Sequence, residues 1–212
     1  MNARSPRPGG SRRRAREAVL GGTFDHLHAG HRALLAAAFA SADRVGIGLT
    51  TAAYLRRHPK PQGAAILAYG RRRRELGRFL RSRWSQNRWY IAPLNDTWGR
   101  SVEPGPDLIV ATPDTRAGVR SVNAERRRRG LAALRVRWVP LVMAEDHHPI
   151  ASRRIRAREI DAEGRSSGSK KAAAPSPASP RARPPKARRP GVPRTRRVRP
   201  RRTPGAMVSS KD

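Results

Sequence analysis

Cysteine is absent from all 212 residues. That excludes a disulfide framework, a thiolate metal site and a cysteine nucleophile. No apolar run approaches a membrane span: the longest, residues 33–40, falls far short of the roughly 20 residues a helix needs to cross a bilayer. The N-terminus is basic, but no apolar stretch follows it, so it does not read as a secretory signal. A soluble, cytoplasmic protein is expected. Acidic residues are few, 15 against 47 Lys plus Arg, and Lys60 is the only lysine before position 170.

The net charge of +32 is unevenly spread. Residues 1–16 hold six arginines and no acid, and residues 165–212 hold 15 Lys plus Arg and one acid. The two ends therefore carry more than half of the excess in under a third of the chain. Both are Arg-, Pro-, Gly- and Ser-rich without apolar periodicity. Such text cannot bury enough surface to offset chain entropy, and it predicts disordered basic tails. Tails of this kind would contact nucleic acid or other polyanions without sequence selectivity. They also have a bland reading as functionless, GC-rich coding text. The folded unit is placed at 17–164.

Within that unit, strands and helices alternate. Strands are predicted at 18–20, 45–49, 89–94, 108–111 and 134–142. Helices are predicted at 30–42, 69–83, 115–129 and 152–158, the third stopping at Gly130. The pattern implies βαβ units: an α/β, Rossmann-like single domain, with a mainly parallel five-stranded sheet and helices on both faces.

The segment at 21–31 reads Gly-Gly-Thr-Phe-Asp-His-Leu-His-Ala-Gly-His. It lies between the first strand and the first helix, at the sheet edge where open α/β folds bind ligands. Gly21 and Gly22 allow close backbone approach. Thr23 offers a hydroxyl and an N–H to a phosphate oxygen. His28 and His31, three apart, share one side of the first helical turn, and Gly30 leaves room beside them. The helix N-terminus adds free N–H groups and positive potential. This set suits phosphoryl chemistry, where an attacking phosphate oxygen needs positioning and charge stabilisation rather than a general base. A simple tight turn and exposed histidines are the plain alternatives. A histidine metal site lacks further ligands.

The same segment resembles the signature of the HxGH nucleotidyltransferase superfamily, in its Gly-Thr-Phe-Asp branch. Further blocks, in order, resemble the archaeal and eukaryote-like pantetheine-phosphate adenylyltransferases. They are Val45-Gly46-Ile47-Gly48-Leu49-Thr50; Ile66-Leu67-Ala68-Tyr69 with the Arg-rich stretch that follows; 108–115 with Gly118, Val122, Asn123 and Arg126; and Ile150-Ala151-Ser152-Arg153-Arg154-Ile155-Arg156 with Glu159-Ile160-Asp161. The likeness spans 17–164.

It implies transfer of AMP from ATP to 4′-phosphopantetheine, giving dephospho-coenzyme A and pyrophosphate, by in-line attack without a covalent intermediate. It implies His28, His31, Lys60 and Arg154 as catalytic residues. The nucleotide would meet Gly21, Gly22, Thr23, Phe24, Gly30, His31, Asn123, Arg126, Ser152 and Arg154, and the acceptor Thr23, Asp25 and Lys60. Mg²⁺ would accompany the ATP phosphates, held by them and by water, with no protein metal site. Ala151 and Arg153 depart from the family's Ser-Ser-Thr run at the phosphate turn.

Other acceptors stay open: nicotinamide mononucleotide, FMN or an alcohol phosphate. So does a non-catalytic nucleotide-binding domain with nucleic-acid-binding tails. Lys60 also reads as a solvated loop residue, and Asn123 and Arg126 as a solvated helix face. Asp25 also reads as a support of its loop. Asp114 and Thr115 stand at a strand-to-helix junction, where simple N-capping is the alternative to a site role. Glu145, Asp146, His147 and His148 read as a polar loop. The four tryptophans are expected in the core, and residues 71–74 on the solvated side of their helix. A monomer is favoured.

Overall fold

The computed structural model describes residues 14–60 and 63–167. The expected tails lie outside the described residues, apart from 14–16 and 165–167. Five strands form one sheet in the order β3-β2-β1-β4-β5: β1 Ala15–Gly22, β2 Ala42–Thr50, β3 Trp89–Leu94, β4 Leu108–Ala111 and β5 Arg135–Trp138. Every pairing is parallel, so the expected Rossmann-like α/β architecture holds. The helices are α1 Ala29–Ser41, α2 Ala52–Arg57, α3 Tyr69–Arg81, α4 Arg116–Arg128 and α5 Ser152–Arg156. None is long and apolar enough to cross a membrane among the described residues.

Alternation along the strands divides the core. Ala18, Leu20, Val45, Ile47, Leu49, Leu108 and Val110 join Leu35 and Phe39 of α1 and Leu76 and Leu80 of α3 in one cluster. Val19, Ile109 and Ala111 point the other way, to Val119 and Val122 of α4. Helices therefore cover both faces, α1 and α3 on one and α4 on the other. The first and fourth strands are neighbours although the chain runs from the first to the second. That reversal opens a crevice at their C-terminal ends.

Several boundaries differ from expectation. β1 starts at Ala15 rather than 18, taking two residues from the predicted N-terminal tail. Ala15 is buried and pairs with Ala42. The last strand ends at Trp138 instead of 142. Val139 makes a final bond to the Ala111 carbonyl, and Pro140 has no N–H with which to continue. α1 passes into β2 without a linker. Its last carbonyls have no basic residue of their own turn, and Arg14 and Arg88 supply the donors by reaching Phe39 O and Ala42 O. Trp138 is an exception to the expected core tryptophans: it is exposed, with Arg116 over its ring. Arg72 departs from the solvated side expected of 71–74. Its guanidinium is 1% exposed and donates to Thr23 O, Thr50 O and Leu67 O, tying the ends of β1 and β2 to the start of α3.

Candidate active site

The loop from Thr23 to His28 holds two of the four non-glycine residues with positive φ among the described residues, the others being His147 and Arg158. Phe24 and His26 both have φ of 46°, the left-handed region that side chains avoid. Each such residue costs roughly 1–3 kcal/mol and persists where the surroundings over-determine it. The surroundings here are dense. The Phe24 ring is buried in the α1–α3 core and lies 5.1 Å from the His31 ring. Asp25 is fully buried. One carboxylate oxygen accepts from Leu67 N at 3.0 Å, the other from Arg156 Nη1 at 2.6 Å, and the Asp25 carbonyl accepts from Ser152 Oγ at 2.7 Å. Asp25 thus binds the first loop to the start of α3 and to α5. Both oxygens therefore accept from groups inside the protein, the loop-supporting contacts of the two roles expected for Asp25, while the residue also borders the first cavity described below.

His28 caps α1. Its Nδ1 accepts a long bond, 3.4 Å, from His31 N, which leaves the ring proton on Nε2. The two imidazoles stack with centroids 3.8 Å apart. Burial, then Arg32, pushes His28 down to about 4. Burial, then His28, Lys60 and Arg32, holds His31 well below the ordinary histidine range. Both are therefore neutral at pH 7, donors without charge. His31 Nδ1 is buried without a hydrogen-bond partner. Gly30 has a more specific reason than room for a ligand. A Cβ there would stand 3.2 Å from the His28 ring, so a side chain would require the imidazole to shift by a few tenths of an ångström.

Lys60 donates to Thr23 Oγ1 at 2.8 Å. Its ammonium lies near Arg156 and Arg72, and burial together with those cations lowers its pKa. A cation gathered among cations is a ready position for an anion.

Two cavities meet around these residues. The first, about 350 Å³, is lined by His28, His31, Gly30, Ser152, Arg153 and Arg156, and closed by Val142 and Ile150. The second, about 340 Å³, runs beneath the sheet and is mostly apolar, with Val19, Leu94, Trp98, Ala111, Val119 and Val122 among its walls. Gly21, Gly22, Thr23, Lys60, Thr112 and Thr115 belong to both. The second cavity exists because β2 alternates. Val45, Ile47 and Leu49 fill the α1–α3 core, while Gly46 and Gly48 face the other way and fill nothing.

Three further expected site residues make their hydrogen bonds away from the cavities. Asn123 accepts from Leu134 N at 2.8 Å and donates to Leu134 O at 3.1 Å, pinning the turn from α4 to β5. Arg126 is 4% exposed and donates to the carbonyls of Ser101, Glu103, Pro106 and Ala132. Neither lines either cavity. Arg154 turns away from the first cavity to Asp146, Glu159 and the Pro149 carbonyl. Arg153 and Arg156, on either side of it, line the first cavity instead. Phe24 backs His31 from the core and also borders the first cavity. Ser152 reaches the cavity, with its hydroxyl proton given to Asp25 O. Arg156, not singled out from the sequence, also lines this cavity; its spacing of four from Ser152, one helical turn, was the available signal.

The carboxylates lining the first cavity are Asp25, already committed, and Asp114, which accepts from the Thr112 hydroxyl. Among the described residues no group of three or more His, Asp or Glu is placed to hold a metal. The donor set fits a cation that arrives on phosphate oxygens, not one caged by protein.

The sequence profile of the cytidylyltransferase-like family matches residues 19–158. A phosphopantetheine adenylyltransferase of Methanopyrus kandleri is 37% identical over 149 residues, 70% of this chain and 92% of its own. A bifunctional phosphopantetheine adenylyltransferase/NTP phosphatase of Thermoplasma volcanium is 36% identical over 148 residues, 69% of this chain but 44% of its own length. Among solved structures, a protein of unknown function from Archaeoglobus fulgidus matches 58% of this chain and 88% of its own, at a TM-score of 0.51 and 22% identity. That likeness concerns the fold alone.

Proposed function

This chain belongs to the cytidylyltransferase-like family, and from that membership we propose that it transfers AMP from ATP to 4′-phosphopantetheine, releasing pyrophosphate and forming dephospho-coenzyme A. The observation that carries the reading is the meeting of two unlike cavities at Thr23 and Lys60. ATP takes the cavity lined by the histidines and arginines. The acceptor phosphate takes the place beside Lys60 and Thr23, where the two cavities meet, and its long, mostly apolar arm takes the second cavity. The names of the relatives support the same pair of substrates.

In this reading a phosphate oxygen of the acceptor attacks the α-phosphorus of ATP in line, and the bond to pyrophosphate breaks. No general base is needed, because the nucleophile is already ionised. His28 and His31 donate neutral N–H groups to the charge that grows on the α-phosphate and the leaving group. Arg153 and Arg156 line the same cavity and face the rest of the triphosphate. Ser152 supplies a hydroxyl oxygen there. Mg²⁺ brought in on the triphosphate would neutralise part of its charge, with Asp114 the carboxylate available to it. Nicotinamide mononucleotide or FMN would bring a second set of sugar or ribityl hydroxyls, for which an apolar cavity has few partners.

Pyrophosphate release with ATP or CTP against a panel of acceptors tests this. Turnover is expected with ATP and 4′-phosphopantetheine. Turnover of another acceptor while phosphopantetheine stays inert would overturn it. Catalysis is assigned to 17–164, extended to Arg14, so deleting 168–212 is expected to leave turnover unchanged; loss of folding would redraw that boundary.

A further inference from the structure

The second cavity has a polar end that adenylyl transfer does not use. Away from Thr23 and Lys60, the cavity reaches Gly46, Tyr90 and Arg100. Gly46 pairs with Tyr90 across β2 and β3, and a Cβ on Gly46 would fall 2.4 Å from the Tyr90 hydroxyl. The missing side chain is what lets that hydroxyl sit over the sheet. There it donates to Glu17 Oε1 at 2.7 Å. The guanidinium carbons of Arg44 and Arg100 stand 4.9 and 5.3 Å from the Tyr90 ring centroid. Arg100 also pairs with Glu103 at 3.0 Å, and Arg44 lies 4.0 Å from Glu17. Two cations and two carboxylates therefore balance around one phenol.

Gly46 is four residues from Thr50 along β2, about 13 Å at the rise of a strand. A pantetheine arm of a dozen bonds extends roughly 15 Å. An arm anchored by its phosphate at Thr23 and Lys60 and laid along Gly48 ends beside Tyr90 and Arg100. Resting on the functional reading above, we infer that Tyr90 and Arg100 are specificity residues that read the far, neutral, amide-and-thiol end of the acceptor. Arg100 offers N–H groups to the last amide carbonyl, and the charge balance gives a bare charge at that end no net counter-ion. The middle of the cavity is apolar and holds the arm without choosing its terminus. Choice of acceptor length is thereby separated from the chemistry at the other end.

The test compares wild type, Tyr90→Phe and Arg100→Met with two acceptors: 4′-phosphopantetheine, and the shorter N-ethyl amide of 4-phosphopantoic acid, which stops before the last amide and so lacks both that carbonyl and the thioethyl group. Initial rates give kcat/KM for each acceptor and KM for ATP. In the wild type the full-length acceptor is expected to be favoured. In each variant its kcat/KM is expected to fall by about fivefold to tenfold, the scale of one hydrogen bond. The shorter acceptor and the KM for ATP should be unchanged. Equal losses on both acceptors, or no loss in either variant, would overturn the inference and leave the functional reading standing. A folded wild type inert toward both acceptors would overturn that reading and this inference with it.

Discussion

The cavity that holds His28 and His31 and the cavity floored by Gly46 and Gly48 are nearly equal in size, about 350 and 340 Å³, and opposite in construction. The first is made by side chains that are present: imidazoles, two arginines and a serine. The second is made by side chains that are missing from one face of β2. The difference teaches that one strand builds a core and a binding groove together, through its alternation. It also teaches that a site can be written in absences, which no residue-by-residue search for chemistry will find.

The largest expected break falls on the first cavity. His28→Ala or His31→Ala is expected to lower kcat by about 10²-fold or more with the fold intact, the scale of losing a transition-state donor. Pyrophosphate release with circular dichroism alongside measures it. Second comes pH. A histidine whose folded pKa lies below its unfolded value of 6.5 takes up its proton more readily in the unfolded chain. Stability is therefore complete above about pH 6.5 and declines as pH falls toward 4. From His28 alone the loss is on the order of 3 kcal/mol. Urea titrations at pH 7.5 and 4.5 read this, and a His28→Ala variant should show a shallower decline.

The second cavity answers to a different change. Gly48→Val places methyls toward Leu94, which already lies 3.4 Å from a Cβ at that position. KM for the acceptor is expected to rise about tenfold, some 1.4 kcal/mol, with KM for ATP unchanged. A rise in both would mean that the two cavities do not divide the substrates. The smallest effect on substrate binding is expected outside both. Arg126→Ala strips four carbonyls of a buried donor and should lower Tm clearly, while KM for ATP stays at the wild-type value. An unchanged Tm with a raised KM for ATP would return Arg126 to the nucleotide.

Much of the fold was legible because its signals are local. The alternation of apolar strands and helices, and the glycine at 130 with φ of 71°, mark elements within a few residues. The first motif was legible because its chemistry sits in eleven consecutive positions. What was not legible depended on distance in sequence. Asp25 reads as a candidate acceptor contact or loop support, and only Leu67 and Arg156 around it show which groups its carboxylate holds. Arg126, Arg154 and Arg72 look like members of exposed basic runs. Only the folded chain shows which arginine of each run turns inward to a set of carbonyls or carboxylates, and which, like Arg153, faces the cavity. The glycines of β2 were visible, but their role depends on register with Gly21 and Tyr90, which the sequence does not state.

The most direct test is a crystal structure of the protein with 4′-phosphopantetheine and a non-hydrolysable ATP analogue. The acceptor phosphate is expected within hydrogen-bond reach of Lys60 Nζ and Thr23 Oγ1, its arm along Gly48 and Gly46, with the triphosphate beside His28, His31 and Arg156. An acceptor arm lying outside the glycine-floored cavity, or both ligands crowded into the histidine cavity, would contradict the account.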